Sequence, residues 1–145
     1  ITIISNNNIS TKIKSYVGKF YKGVLIKEHQ KSLQKENFCN TNIIFSVGYM
    51  RVIEKSIIEN FDVINLHPSI LPNYKGLMTQ KRMLINNEKY YGFTIHRVSP
   101  ELDDGKTISN KTKKINTKSE SELLKKHKIL EHQFVYKQLV NYLLN

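Results

Sequence analysis

The sequence predicts an α/β protein: an open, mostly parallel twisted sheet with helices on both faces, formed by one domain of 145 residues. Three observations carry the prediction. NIIFSVG and FDVINL are short and almost continuously apolar, as strands are when both faces of a parallel sheet are covered. Between them, Val52, Ile53, Ile57 and Ile58 recur at helical spacing over residues 51–60, giving the order strand, helix, strand. Each run also stops at a glycine or proline beside polar residues, where ligand sites of open sheets lie, beyond the carboxyl ends of the strands.

Taken in order, ITIIS is a short apolar run closed by polar residues and predicts the first strand. SNNNIS follows as a loop. Ile13, Val17 and Phe20 favour a helix over disorder in residues 11–20, and Lys22–Lys27 predicts a second strand after a break. Residues 28–41 show no period. NIIFSVG predicts the third strand, ending at Gly48, and residues 51–60 a helix. Phe61–Leu66 predicts the fourth strand, stopped by the HPS turn. Residues 77–87 suggest a helix, and Tyr90–Val98 a strand. SPELDDGK is an acidic turn, and KTISNKTKKIN shows only weak alternation. A closing helix is predicted over Ser119–Leu144, capped by Ser119 or Ser121 with Glu122 in its first turn. Its apolar face is expected to carry Leu123, Leu124, Ile129, Leu130, Phe134 and Leu139.

Composition excludes several classes. Hydrophobic residues make up 39%, with 8 Tyr and 6 Phe, which is enough for a core and unlike a disordered chain. No run reaches membrane-spanning length, and the opening residues lack the layout of a signal peptide. The single cysteine, Cys39, excludes an internal disulfide and fits a reducing, cytoplasmic setting. The net charge of +11 comes almost wholly from lysine, since Arg51, Arg82 and Arg97 are the only arginines. Lysines interleaved with asparagines along the chain describe a solvated surface, so no specific nucleic-acid partner is expected.

The residues with chemistry gather at predicted strand ends. Asn65 and His67 are two apart in extended backbone, so their side chains share a face and can converge on one small group. An amide and an imidazolium together suit a developing oxyanion, and His67 alone suits a base; a turn-capping amide and a structural histidine are the plain alternatives. Asp104 reads as a solvated turn acid. Asp103 is the more telling of the pair, because folding back toward His67 would let it hold that ring protonated or take up protons through water. His67, His96 and Asp103 lack the spacing of a helix-borne zinc motif, and no metal is expected. Ser46 and Ser69 lack a nucleophile elbow, nothing around Cys39 activates a thiol, and no phosphate-binding GxxxxGK[ST] loop occurs. The amides of SNNNIS suit an anion at a helix start, though loop filler describes the segment as well.

SVGYMR, NLHPSILPNYKG, GFTIHRV and ELDDGK occur in that order, with ILEHQFVY in the closing helix. Together, over about residues 42–136, they resemble the formyltransferase family that uses 10-formyltetrahydrofolate. The resemblance implies a Rossmann-like formyltransferase fold and a catalytic trio of Asn65, His67 and Asp103. It implies one folate-pocket wall from Met50, Arg51, Val52 and Ile53, and a second from Arg97, Val98, Leu102 and Asp104. Gly48 and Pro68 would flank the bound amine, and Glu131 would contact the ribose of a phosphorylated small-molecule amine. The implied protein is a monomer or homodimer with 10-formyltetrahydrofolate as formyl donor. The purine-biosynthesis branch, which formylates glycinamide ribonucleotide, is favoured; the branch acting on nucleotide-linked amino sugars comes second, and a weak, truncated relative third. Departures bear on that ranking. Met78 and Gln80 stand where the purine branch has two histidines, and Lys106 where it has proline. Only 47 residues precede Gly48, without a glycine-rich phosphate loop, so a truncated or diverged front is expected.

Overall fold

The structure is a computed structural model that describes residues 2–4, 25–27, 33, 38 and 42–144. The chain divides into two compact units: residues 1–66 with 97–100, and residues 67–96 with 101–145.

The first unit carries a parallel sheet. Its strands are β1 (Thr2–Ile4), β2 (Leu25–Lys27), β3 (Ile43–Val47) and β4 (Asp62–His67), whose last residue opens the second unit. They lie in the order β2-β1-β3-β4. The register pairs Ile3 with both Ile26 and Phe45, and Phe45 with Ile64. Central strands need apolar residues on both faces, and Ile44, Phe45, Val63 and Ile64 are all buried. Helix α1 (Lys55–Asn60) crosses between β3 and β4 and buries Ile57. It starts later than its apolar spacing suggested, because Glu54 is still extended. Val52 therefore stands off the helix and is 84% exposed. Leu33, Phe38, Ile44, Ile57 and Val63 form the core, with Tyr49, Ile53, Phe61 and Val98 packed against it. The described part of β2 is shorter than predicted. The expected loop 5–10, the helix over 11–20 and Cys39 lie outside the described residues.

The second unit pairs β5 (Tyr90–Arg97) with β6 (Thr107–Lys114) antiparallel, the ladder running from Tyr90 opposite Lys114 to His96 opposite Thr107. Strand β6 was barely legible, since TISNKTKK is polar on both faces. Its position at the end of the strand order explains that composition, because lysines keep a sheet edge from pairing further. Gly92 has its own reason: a Cβ there would meet the Lys111 carbonyl oxygen at 2.0 Å. Helix α2 (Thr79–Ile85) buries Thr79, Gln80 and Met83.

Helix α3 (Glu120–Leu144) begins where predicted, with the Glu122 N–H reaching Ser119 Oγ at 3.4 Å. Its buried stripe differs from the expected face. Leu123, His127 and Leu130 are buried, while Leu124 and Ile129 are exposed. Positions 123, 127 and 130 follow the i, i+4, i+7 line of one helix face, and 124 and 129 flank it. A histidine thus occupies a core position. The Leu139 side chain lies outside the described residues. No helix among the described residues is long and apolar enough to cross a membrane.

Candidate functional site

The polar cluster of the second unit is built on the loop after β4. His67 is the last residue of that strand and buried, where the sequence had suggested a turn position. The loop then folds back on itself: Ser69 N–H donates to the His67 carbonyl at 2.9 Å, and Ser69 Oγ donates to the Asn73 carbonyl at 2.7 Å. Thr94 of β5 pins it from the other side. Its hydroxyl donates to the Ser69 carbonyl at 2.8 Å and accepts the Leu71 N–H at 3.0 Å. These bonds set the Tyr74 carbonyl 2.9 Å from His67 Nε2. The other ring nitrogen, Nδ1, lies 3.3 Å from Asp103 Oδ2. Both nitrogens face oxygens, so a ring carrying both protons satisfies both.

Asp103 is held from three directions. Its Oδ2 accepts the Gly76 N–H at 2.8 Å, and its Oδ1 faces His96 Nε2 at 3.7 Å. The backbone of Asp103 is left-handed, with φ 49°. Aspartate tolerates that region better than most residues, yet the conformation persists only where its surroundings fix it. The rings of His67 and His96 meet edge to face, 6.4 Å between centroids. Among the described residues no group of three or more His, Cys, Asp or Glu is arranged to hold a metal ion.

The other predicted residues fall as follows. Asp103 does fold back onto His67. Asp104 pairs with Lys75 at the surface. Leu102 is largely exposed, and Pro68 is half-buried beside His67. In the first unit, Gly48 follows β3 with φ 64°, a conformation that glycine adopts without strain. Met50 and Val52 expose their side chains, as Arg51 does, while Ile53 and Val98 pack on the core. Val98 N–H also donates to the Val63 carbonyl at 2.7 Å, and Arg97 Nε lies 3.3 Å from Asp62 Oδ1. Asn65 is half-buried on β4, two residues before His67. The lysine-rich sequence of α3 would suit Glu131 as a solvated acid. Glu131 is instead largely buried, and burial pushes its carboxyl up to about 7 against the pull of Lys128.

Sequence reasoning missed what lies beside Glu131. His127, one helical turn earlier, is buried, and its Nδ1 lies 2.8 Å from Gln80 Nε2. Burial pushes the His127 ring down to about 4, outweighing the Gly92 carbonyl, which favours the charged form; the nearby His67 lowers it further. The available signal was the pairing of two oddities, a Gln on α2 and a His in the stripe of α3.

Residues 12–139 match the formyl transferase family. Phosphoribosylglycinamide formyltransferase of Escherichia coli is 33% identical over 69 residues, covering 46% of this chain and 32% of that protein; the chain thus spans about a third of its length. Among solved structures, phosphoribosylglycinamide formyltransferase of Campylobacter jejuni superposes with a TM-score of 0.69 at 27% identity, over 97% of this chain and 78% of the other. The formyltransferase PseJ of Anoxybacillus kamchatkensis, in complex with UDP-4,6-dideoxy-4-formamido-L-AltNAc and tetrahydrofolate, superposes with a TM-score of 0.72 at 22% identity, over 97% and 77%. The fold is therefore the Rossmann-like one of formyltransferases.

Proposed function

We propose that this chain, which belongs to the formyl transferase family, moves a formyl group from 10-formyltetrahydrofolate to the primary amine of a small phosphorylated substrate. The observation that carries the proposal is the buried His67–Asp103 pair, 3.3 Å apart, in a loop locked by Ser69 and Thr94. Because Nε2 is committed to the Tyr74 carbonyl, the working side of His67 is Nδ1, where Asp103 sits.

The amine nitrogen attacks the formyl carbon, and the carbonyl oxygen takes up negative charge. Asn65 donates to that oxygen, and the Nδ1–H of His67, held at a long 3.3 Å by Asp103, is shared with it. Asp103 holds His67 in register and accepts the proton that the amine sheds. When the tetrahedral intermediate collapses, the C–N bond to the folate breaks and the folate nitrogen takes up the proton that Asp103 received from the amine. No covalent enzyme intermediate is needed, and holding two bulky substrates in line supplies much of the rate gain. For the donor, the exposed side chains of Met50 and Val52 support an apolar wall, with Arg51, Ile53, Arg97, Val98, Leu102 and Asp104 completing the folate contacts. Gly48, Pro68 and Glu131 serve the acceptor.

The acceptor we favour is glycinamide ribonucleotide, which places the chain in purine biosynthesis. The closing-helix pattern ILEHQFVY and the ELDDGK turn support it. A nucleotide-linked amino sugar is the second reading, kept because Met78 and Gln80 depart from the purine branch. The deciding assay supplies 10-formyltetrahydrofolate with each amine in turn. Faster turnover of glycinamide ribonucleotide is expected, and faster turnover of the amino sugar reverses the ranking. Asn65→Ala should lower kcat about a hundredfold with the melting temperature kept; equal turnover removes Asn65 from the mechanism. A folate analogue should raise the melting temperature of the parent by linkage.

A further inference from the structure

Thr79, Gln80, His127 and Glu131 lie in a row across α2 and α3. Thr79 Oγ1 donates to Gln80 Oε1 at 2.9 Å, which fixes the orientation of the Gln80 amide. The amide nitrogen has only protons to offer, so at 2.8 Å it donates to His127 Nδ1. The neutral ring then carries its single proton on Nε2. That atom is fully buried; the Gly92 carbonyl favours a proton on the ring but forms no hydrogen bond of good geometry with Nε2, and Glu131 Oε1 lies 4.0 Å away across one helical turn. The Tyr91 ring packs edge-on against the imidazole at 5.4 Å and restricts its rotation. A buried N–H left without a partner is costly, and a core stripe is ordinarily filled by an apolar residue. The arrangement supplies a donor aimed at a carboxylate that a short side-chain movement would bring into contact.

We propose that Thr79, Gln80 and His127 form a buried relay that fixes the His127 tautomer and presents its Nε2–H to Glu131, setting how tightly that carboxylate grips the acceptor substrate. The proposal rests on the assignment of Glu131 to the acceptor made above. Gln80 and His127 are positioning residues, since they act through Glu131. The direction of the carboxyl shift fits: burial holds Glu131 toward its neutral form, Lys128 alone opposes it in the free protein, and an added N–H donor would favour the ionised form that a substrate hydroxyl can donate to. The same row accounts for Gln80. A histidine in its place would not be confined to donating, whereas the amide imposes one tautomer on His127.

The test uses Gln80→Leu, His127→Phe and Glu131→Gln, with glycinamide ribonucleotide as acceptor and 10-formyltetrahydrofolate as donor. All three variants should raise the acceptor KM about tenfold, with kcat and folate affinity within about twofold. With the acceptor bound, the Glu131 carboxyl of His127→Phe, followed by carbon NMR, should titrate at a higher pH than that of the parent. Nitrogen NMR of the parent should find the His127 proton on Nε2, a readout that needs no variant to fold. A proton on Nδ1 overturns the relay. So does an acceptor KM raised by Glu131→Gln but untouched by the other two, which would leave the acceptor role of Glu131 standing. An acceptor KM unmoved by Glu131→Gln removes that role and the proposal with it.

Discussion

The second unit holds two clusters in which histidine meets carboxylate, and they are opposites. At Asp103, both ring nitrogens of His67 face oxygens, and both carboxylate oxygens face donors. At Glu131, one ring nitrogen of His127 makes no hydrogen bond of good geometry, the ring is pushed down to about 4 and the carboxyl is pushed up to about 7. A buried histidine–carboxylate pair needs surrounding dipoles, and the loop around Asp103 supplies them through the Gly76 amide and the Tyr74 carbonyl. The helix face around Glu131 supplies few, so both groups there are driven toward their neutral forms. The first cluster is organised in advance of its substrate. The second holds its polarity back until a ligand arrives.

The largest expected effect breaks the first cluster. Asp103→Asn keeps the side-chain shape and an oxygen for the Gly76 N–H, but removes the charge facing His67. Turnover should fall by two to three orders of magnitude, about 3–4 kcal/mol in the barrier, while a folate analogue still binds. Steady-state kinetics beside analogue titration checks this, and turnover within tenfold of the parent would take the chemistry away from Asp103.

The second effect exposes the contrast through stability. Glu131 titrates near 4.5 unfolded and about 7 folded, so its contribution is complete below pH 4.5 and is lost as pH rises toward 7. His127 titrates near 6.5 unfolded and about 4 folded, so its contribution is complete above pH 6.5 and is lost as pH falls toward 4. Each swing is roughly 3 kcal/mol, and the two oppose each other across the same window. In the parent they largely cancel. Glu131→Gln should leave stability rising from pH 4 to 6.5, and His127→Phe should leave it falling from pH 4.5 upward. Denaturant melts at half-unit pH steps read both slopes, and parallel profiles in the two variants would mean that the groups do not titrate as described.

A smaller effect tests whether the first cluster depends on its loop. Thr94→Val preserves the packing but strands the Leu71 N–H and the Ser69 carbonyl, at a cost of about 2 kcal/mol. The Tyr74 carbonyl should then drift from His67 and lower kcat, while the Glu131 titration stays put. A change in that titration with unaltered kcat would show that Thr94 supports the wrong cluster.

The two clusters were also unequally legible in the sequence. Asn65 and His67 lie at the end of β4 beside Pro68, and Asp103 lies in a turn beside Gly105, where local rules apply: alternation fixes the face and turn residues fix the stop. The strands of the first unit were readable because NIIFSVG and FDVINL are short, almost continuously apolar runs with clear stops. Strand β6 was not, because its meaning comes from pairing with β5 and from its place at an edge. Val52 and Ile129 satisfied a helical period without being buried on a helix face. His127 escaped because a histidine in a core stripe makes sense only once Gln80, 47 residues earlier in the chain, is known to meet it.

The smallest effect concerns a third carboxylate, one residue from the first cluster. Asp104 pairs with Lys75, but the two side chains are 54% and 34% exposed. Water screens such a pair, and ordering two mobile side chains offsets most of the attraction. Lys75→Met should therefore change stability by less than about 1 kcal/mol, and added salt should erase whatever difference exists. The Lys75 carbonyl, which accepts Arg82 Nη1 at 2.6 Å, is untouched by the substitution, so the loop keeps that anchor. Melts at low and high salt decide the matter. A loss comparable to that of Thr94→Val, persisting in high salt, would mean that the acidic turn works as one unit and that exposure does not separate Asp104 from Asp103. A negligible loss would confine the structural role to Asp103, whose partners are a backbone amide and two buried rings.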